Sequence, residues 1–346
     1  MSEKQIRVMI TGAAGEMGRA CARFMTERGA TVVAATGRRN HLGEDIGELA
    51  GVGKLGVVIE PADALEEALA RTKPDVVLNA SGELGEIADS VKTCLAAGAN
   101  VAMLAEAAYF PYVSYAELAK EIDAIAKENR VTAIGLGMQD VNWSNEPVVM
   151  SANCHKLERI EGENWCILDH CGNFEVGLVG VNLDKDEFFE YHKDDLNPRN
   201  PFTYALYEVA DELGLHVASE KNARIEPLYA TEDYDATCCA YGKVVEKGKT
   251  IGALLETVLE TEEDISIGAK FYYSFAQDGQ AGVNVWRFEG EPTFEVVTDD
   301  PRPDIGTTTD VVNRLPDIIK APAGFLTVKD LPKPFYRCKP LPEYLD

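Results

Sequence analysis

Residues 11–18 read TGAAGEMG, directly after the apolar run IRVMI (6–10). Gly12, Gly15 and Gly18 recur every three residues. The apolar run has the composition of a buried strand. The next stretch, EMGRACARFMTERG (16–29), sets Met17, Ala20, Cys21 and Phe24 on one helical face and stops at Gly29. Glycines between such a strand and such a helix suit a diphosphate-binding turn. Gly12 permits the tight turn. Gly15 lets the backbone approach a diphosphate with no Cβ in the way, and Gly18 lets the helix pack close to the sheet. Ala13, Ala14, Glu16 and Met17 complete the loop and the first helical turn, whose free N–H groups and positive dipole end suit phosphate. A dinucleotide cofactor is therefore expected; a plain strand–helix turn is the alternative.

The surrounding pattern supports the cofactor. Short apolar strands are expected at 5–11, 31–36, 55–60, 74–81, 100–106 and 131–137, with helices at 16–29, 62–72, 87–98 and 114–130 between them. Such alternation means a parallel sheet covered on both faces, an α/β doubly wound (Rossmann) domain over residues 1–140. After residue 140 the texture changes. Segments 153–168 and 248–260 read as strands or mixed segments, 202–215 as a helix, and 269–279, 281–292 and 293–299 as successive antiparallel strands. Residues 141–306 are thus expected to form an α+β substrate and dimerisation domain. Residues 307–346 are read as a C-terminal helix ending near Ala321 and a Pro-rich tail, packing back on the first domain.

Composition narrows the function. The 346 residues carry 58 acids against 33 bases, a net charge of −25, and such a field repels nucleic acid. No run approaches the about 20 apolar residues of a membrane span, and the opening MSEKQIRVMI lacks a signal peptide's apolar stretch, so a cytoplasmic location is expected. The eight cysteines match no zinc pattern and read as reduced thiols, with the vicinal Cys238 and Cys239 alternating faces of a strand. No metal is expected; a site built on His170 and Cys171 with Cys154 and His155 is the weaker idea, because no ligand pair has helical spacing.

The ends of the strands should line the ligand crevice. The second strand runs into GRRN (37–40), with no acid for a ribose hydroxyl. Arg38 and Arg39 stand where a 2′-phosphate would lie, which favours NADP, with NAD possible and two solvated arginines as the bland reading. Ser81 and Gly82 follow the fourth strand and could skirt the nicotinamide ribose. Glu106, the acid at the end of the fifth strand, is the candidate general base, with desolvation expected to raise its pKa; the alternative is a capping or surface acid. Tyr109, Asp140, Asn142 and Trp143 are candidate substrate-pocket residues, with a purely structural role equally open for each; His170 and Asn173 are further candidates, although a hydrogen-bonded domain-interface role suits His170 better.

A resemblance enters on these motifs. GAAGEMGR (12–19) resembles the start of dihydrodipicolinate reductases, but their later His-His pair with Lys is missing, the nearest stretch being LDHCGNFEVG (168–177). The chain more nearly resembles the 2,4-diaminopentanoate dehydrogenases and native amine dehydrogenases over almost its whole length. The shared stretches are HLGEDIGELAG (41–51), LAEAAYFP (104–111), WRFEGEP (286–292) and NRLPDIIKAPAGFLTVKDLPKP (313–334). The resemblance implies NAD(P)-dependent chemistry at a C–N bond, with the family's glutamate at Glu106. Two departures stand out: Ala107 replaces a second acid, and GLGMQDVNW (135–143) replaces a stretch like GTGVNPGF.

The expectation is an amine dehydrogenase-like oxidoreductase. It would reductively aminate a small ketone or aldehyde with ammonia, or oxidise an amine, and would work as a homodimer. Two other readings stay open: an NADPH-dependent C=O or C=C reductase with Glu106 or Tyr109 as proton donor, and a non-catalytic NADP-binding redox sensor.

Overall fold

The computed structural model describes residues 4–277 and 280–345, so the expected strand end at 278–279 lies outside the described residues. Two compact units divide the chain: Met1–Val141 with Ile305–Asp346, and Asn142–Asp304.

The first unit opens with β1 (Arg7–Thr11), α1 (Glu16–Glu27), β2 (Thr31–Gly37), α2 (Ile46–Leu49), β3 (Ile59–Pro61) and α3 (Leu65–Thr72). It continues with β4 (Val76–Asn79), α4 (Leu84–Ala96), β5 (Asn100–Met103), α5 (Glu106–Tyr109), α6 (Ala116–Asn129) and β6 (Thr132–Gly135). The strands are parallel in the order β6-β5-β4-β1-β2-β3. This is the doubly wound arrangement, with its switch point between β1 and β4. Val8, Met9, Ile10, Val76, Val77, Leu78, Ala102 and Ile134 are fully buried, because helices cover both faces. The buried face of α1 is Gly18, Cys21, Ala22 and Met25, rotated by about one residue from the expected face, because Gly18 is pressed against the turn that precedes the helix.

A π-helical turn, Gln139–Asn145, leads into the second unit. There follow α7 (Glu146–Ser151), β7 (Lys156–Ile167), α8 (Asn173–Val179), α9 (Lys185–Tyr191), α10 (Phe202–Leu213), β8 (Val217–Asn222) and β9 (Glu226–Tyr229). Then come β10 (Tyr234–Ala236), β11 (Lys243–Val245), β12 (Thr250–Thr261), β13 (Ser266–Ser274), β14 (Val283–Glu291) and β15 (Phe294–Asp299). The large sheet runs β15-β14-β7-β13-β12-β8, with β9 also paired to β12. It is mixed, which corrects the expected run of antiparallel neighbours: β7 inserts between β13 and β14, parallel to the former and antiparallel to the latter. Phe202, Phe271, Trp286 and Phe288 fill the core beneath it. Cys238 and Cys239 lie in the turn after β10, not in a strand, and none of the eight cysteines is joined in a disulfide.

The chain returns through α11 (Pro303–Lys320) to β16 (Gly324–Leu326), which pairs parallel with β6 as a seventh strand of the first sheet. The sequence pattern had suggested six, since three residues are too few to carry a period. Arg314 of α11 fastens this return. Its Nε and Nη2 donate to the two Asp140 carboxylate oxygens at 2.6 and 2.9 Å, and both side chains are buried. Asp310, one turn earlier, accepts from the Gly137 N–H at 3.3 Å. Burial, then the Asp140 charge, pushes the Asp310 carboxyl well up, and the two carboxyl groups share a hydrogen bond. Among the described residues no helix is long and apolar enough to cross a membrane.

Candidate active site

The glycine turn connects β1 to α1. Gly12 has φ +73°, and a Cβ on it would lie 2.8 Å from Ala80 O and from Ser81 Cβ. A Cβ on Gly18 would lie 2.5 Å from Gly12 O, closer than any side chain tolerates. Gly15 caps the helix, its N–H donates to Gly12 O at 3.1 Å, and an added Cβ would lie 3.3 Å from that same oxygen. The turn is therefore narrow and almost free of side chains, and it runs directly into the N-terminus of α1. Such a cradle fits a diphosphate. Ala13 is buried and donates its N–H to Thr36 O at 3.0 Å, which ties the loop to β2. A Cβ on Gly37 would touch Ala14 Cβ at 3.6 Å, so the end of β2 passes beside the loop and delivers Arg38 and Arg39 next to it. Both arginines are exposed, and neither has an acidic partner among the described residues.

The turn after β4 is organised by Asn79, which the sequence reading did not single out. Its Oδ1 accepts from the Ser81 N–H and Oγ, both at 3.1 Å, and its Nδ2 donates to Ser90 Oγ at 3.4 Å. Gly82 follows with φ +68°. Glu83 is the second residue missed. Burial, reinforced by the charge of Glu86, pushes its carboxyl above the usual range. An acidic residue straight after a Ser-Gly turn at a strand end was the available signal. Glu106 is half-buried and opens α5. That short helix lies directly on β6, where only the missing Cβ of Gly135 makes room: an added one would fall 2.2 Å from Ala108 C. Tyr109, at the end of α5, is buried. The glycine turn, Arg38, Arg39, Ser81, Gly82 and Glu106 thus all follow the carboxyl ends of β1, β2, β4 and β5, which are neighbours in one sheet.

The other candidates sit differently. Asp140, read from the sequence as a pocket residue, is wholly buried and committed to Arg314, a partner 174 positions away. The remaining four belong to the second unit. The Asn142 carbonyl accepts from Trp286 Nε1 at 2.6 Å and Asn284 Nδ2 at 3.3 Å. Trp143 is 3% exposed, stacks on Phe202 at 4.3 Å and meets Phe271 edge-on at 5.4 Å. Its indole N–H is buried without an acceptor among the described residues. His170 is exposed at the end of the turn Leu168–His170, and Asn173 is the first residue of α8, its side chain outside the described residues. Among the described residues no three His, Cys, Asp or Glu side chains gather as a metal site.

Comparison with known proteins bears out the resemblance. Residues 6–103 match the family described as dihydrodipicolinate reductase, N-terminus. The chain is 24% identical to 2,4-diaminopentanoate dehydrogenase from Acetoanaerobium sticklandii, over 96% of this chain and 94% of that protein. It is 37% identical to 4-hydroxy-tetrahydrodipicolinate reductase from Methanocaldococcus jannaschii, but over only 37% of this chain and 46% of that one. The solved structure of amine dehydrogenase from Mycobacterium smegmatis superposes with a TM-score of 0.88 at 29% identity, covering 96% of this chain and 98% of the other. The glycine turn thus lies in the matched N-terminal portion, while the whole-chain likenesses are to the two dehydrogenases.

Proposed function

We propose that this chain, an NAD(P)-dependent oxidoreductase related to the amine and 2,4-diaminopentanoate dehydrogenases, uses NADP to act on the CH–NH2 or C=N bond of a small amine. The observation that carries this reading is the half-buried Glu106 after β5, on the same sheet rim as the bare glycine cradle. The Gly12–Gly18 turn holds the diphosphate, and Arg38 and Arg39 meet the 2′-phosphate. When bound, the dinucleotide supplies or accepts the hydride.

In the reductive direction the Glu106 carboxylate takes a proton from ammonium, or from the amine as it attacks the carbonyl carbon. The same group returns the proton to the departing hydroxyl of the carbinolamine, so that water leaves and an iminium remains to receive the hydride. Ser81 and Gly82 would skirt the nicotinamide ribose, and orientation of the reacting carbon is the protein's main contribution. Ala107, with no acid of its own, leaves Glu106 as the acid of that stretch. The likeness to the two dehydrogenases supports ammonia as the second substrate in this direction.

A panel of small ketones and aldehydes, followed by NADPH oxidation with and without ammonium, tests the proposal. Strict dependence on ammonium is expected. Equal rates without it would make the protein a carbonyl reductase instead, and cofactor binding with no turnover of any compound would make it a sensor.

A further inference from the structure

The geometry points to a reversible disulfide between Cys166 and Cys171, a redox modification site on the turn that carries His170. Cys166 is the penultimate residue of β7, and Cys171 ends the tight turn that follows it. The two sulfurs are 3.5 Å apart. A bonded pair sits near 2.05 Å, so closure needs an approach of about 1.5 Å, within reach of small side-chain rotations.

The turn between them is held in place from outside. Cys171 N donates to Leu168 O at 3.0 Å. Asp169, at the centre, accepts from Tyr234 Oη at 2.6 Å, from Ala276 N at 3.0 Å and from Cys239 Sγ at 3.3 Å. These contacts hold Cys171 against Cys166 before any bond forms, which raises the effective concentration of one thiol at the other. They also occupy a third thiol, that of Cys239. Burial, and then the hydrogen bond to the Asp169 carboxylate, pushes the Cys239 thiol up to about 11, so it stays protonated and a poor nucleophile. Cys171 is partly exposed whereas Cys166 is buried. Cys171 is therefore the thiol an oxidant meets first, and Cys166 the one that resolves.

The oxidant is a low-molecular-weight disulfide. The Cys171 thiolate attacks one of its sulfurs, that S–S bond breaks, and one small thiolate leaves. The Cys166 thiolate then attacks Cys171 Sγ and expels the second small thiolate. Two protons leave the protein thiols and two electrons pass to the oxidant, which ends as two thiols. The new bond ties the end of β7 to the residue just before the cap of α8, so the backbone around His170 loses freedom. In a reducing compartment the bond would form only under oxidative load, as a switch and not as a permanent brace.

The test treats the folded, full-length protein with oxidised glutathione, then blocks free thiols and digests with a protease that cuts before aspartate. Cleavage ahead of Asp169 separates the two cysteines, so a 166–171 bond leaves two fragments joined until reductant is added. That joined pair is expected in the wild type and in Cys239→Ser, and absent in Cys166→Ser and Cys171→Ser. Glutathione found on the exposed Cys238 or Cys338 with no 166–171 link would overturn the inference. So would a link that joins Cys239 instead, or one that forms only after the protein has been unfolded in urea.

Discussion

Replacing Glu106 with glutamine keeps its shape and hydrogen-bonding reach but takes away its proton chemistry. If the carboxylate is the base, kcat falls at least about a hundredfold while NADPH affinity stays within about threefold, read by steady-state kinetics and by cofactor titration. Arg38 and Arg39 make a different prediction, because a 2′-phosphate is present on one cofactor and missing from the other. Losing a charge-assisted hydrogen bond costs about 1.5–3 kcal/mol. The double change to alanine should therefore raise the KM for NADPH about 10- to 100-fold and leave that for NADH nearly unaltered. Trp143 carries a buried N–H with no acceptor among the described residues, a feature that is costly unless a ligand uses it. Trp143→Phe keeps a ring against Phe202, so the melting temperature should hold while KM rises about tenfold for a substrate bearing an oxygen or nitrogen acceptor. An unchanged KM with a higher melting temperature would make the indole purely structural. At this scale the sequence was readable where the cause is local. Gly18 is dictated by crowding within its own turn, where an added Cβ would meet Gly12 O. Asp140 was only partly legible, because its partner, Arg314, lies 174 positions along the chain, and no local pattern carries that pairing.

Elements show the same division. The alternation of apolar strands and helices fixed the parallel sheet, since burial on both faces leaves a signature in every strand. The three residues of β16 left none, and the insertion of β7 between β13 and β14 is a long-range pairing that periodicity does not encode. One loop shows how a single side chain can hold an element together. Asp45 caps α2, and its carboxylate accepts from the N–H groups of Gly47, Glu48, Leu55 and Gly56 at 2.7–3.3 Å. Burial alone would raise this carboxyl, but the four donors outweigh it and hold the group below its ordinary value. The folded pKa is thus the lower one. The stabilisation is fully present above the unfolded value and disappears as pH falls through the folded one. Asp45→Ala should cost about 1–3 kcal/mol near neutral pH by leaving those donors unmet. The gap from wild type should narrow in acid, as read from urea midpoints across pH.

For the molecule as a whole, the first unit is assembled from two separated stretches of chain. The Arg314–Asp140 pair joins them with both partners buried. Removing one member of such a pair strands the other charge in a dry interior, which costs about 3–5 kcal/mol. Arg314→Ala is therefore expected to lower the urea midpoint steeply, and the first unit should lose cooperativity before the second.

That discontinuity also orders events on the ribosome. The continuous stretch Asn142–Asp304 emerges complete and can fold as soon as it clears the exit tunnel. The nucleotide-binding sheet, begun earlier, waits for α11 and β16 to be translated before Asp140 finds its cation and β6 its outer neighbour. The sheet begun first is thus closed only once the returning segment has been made.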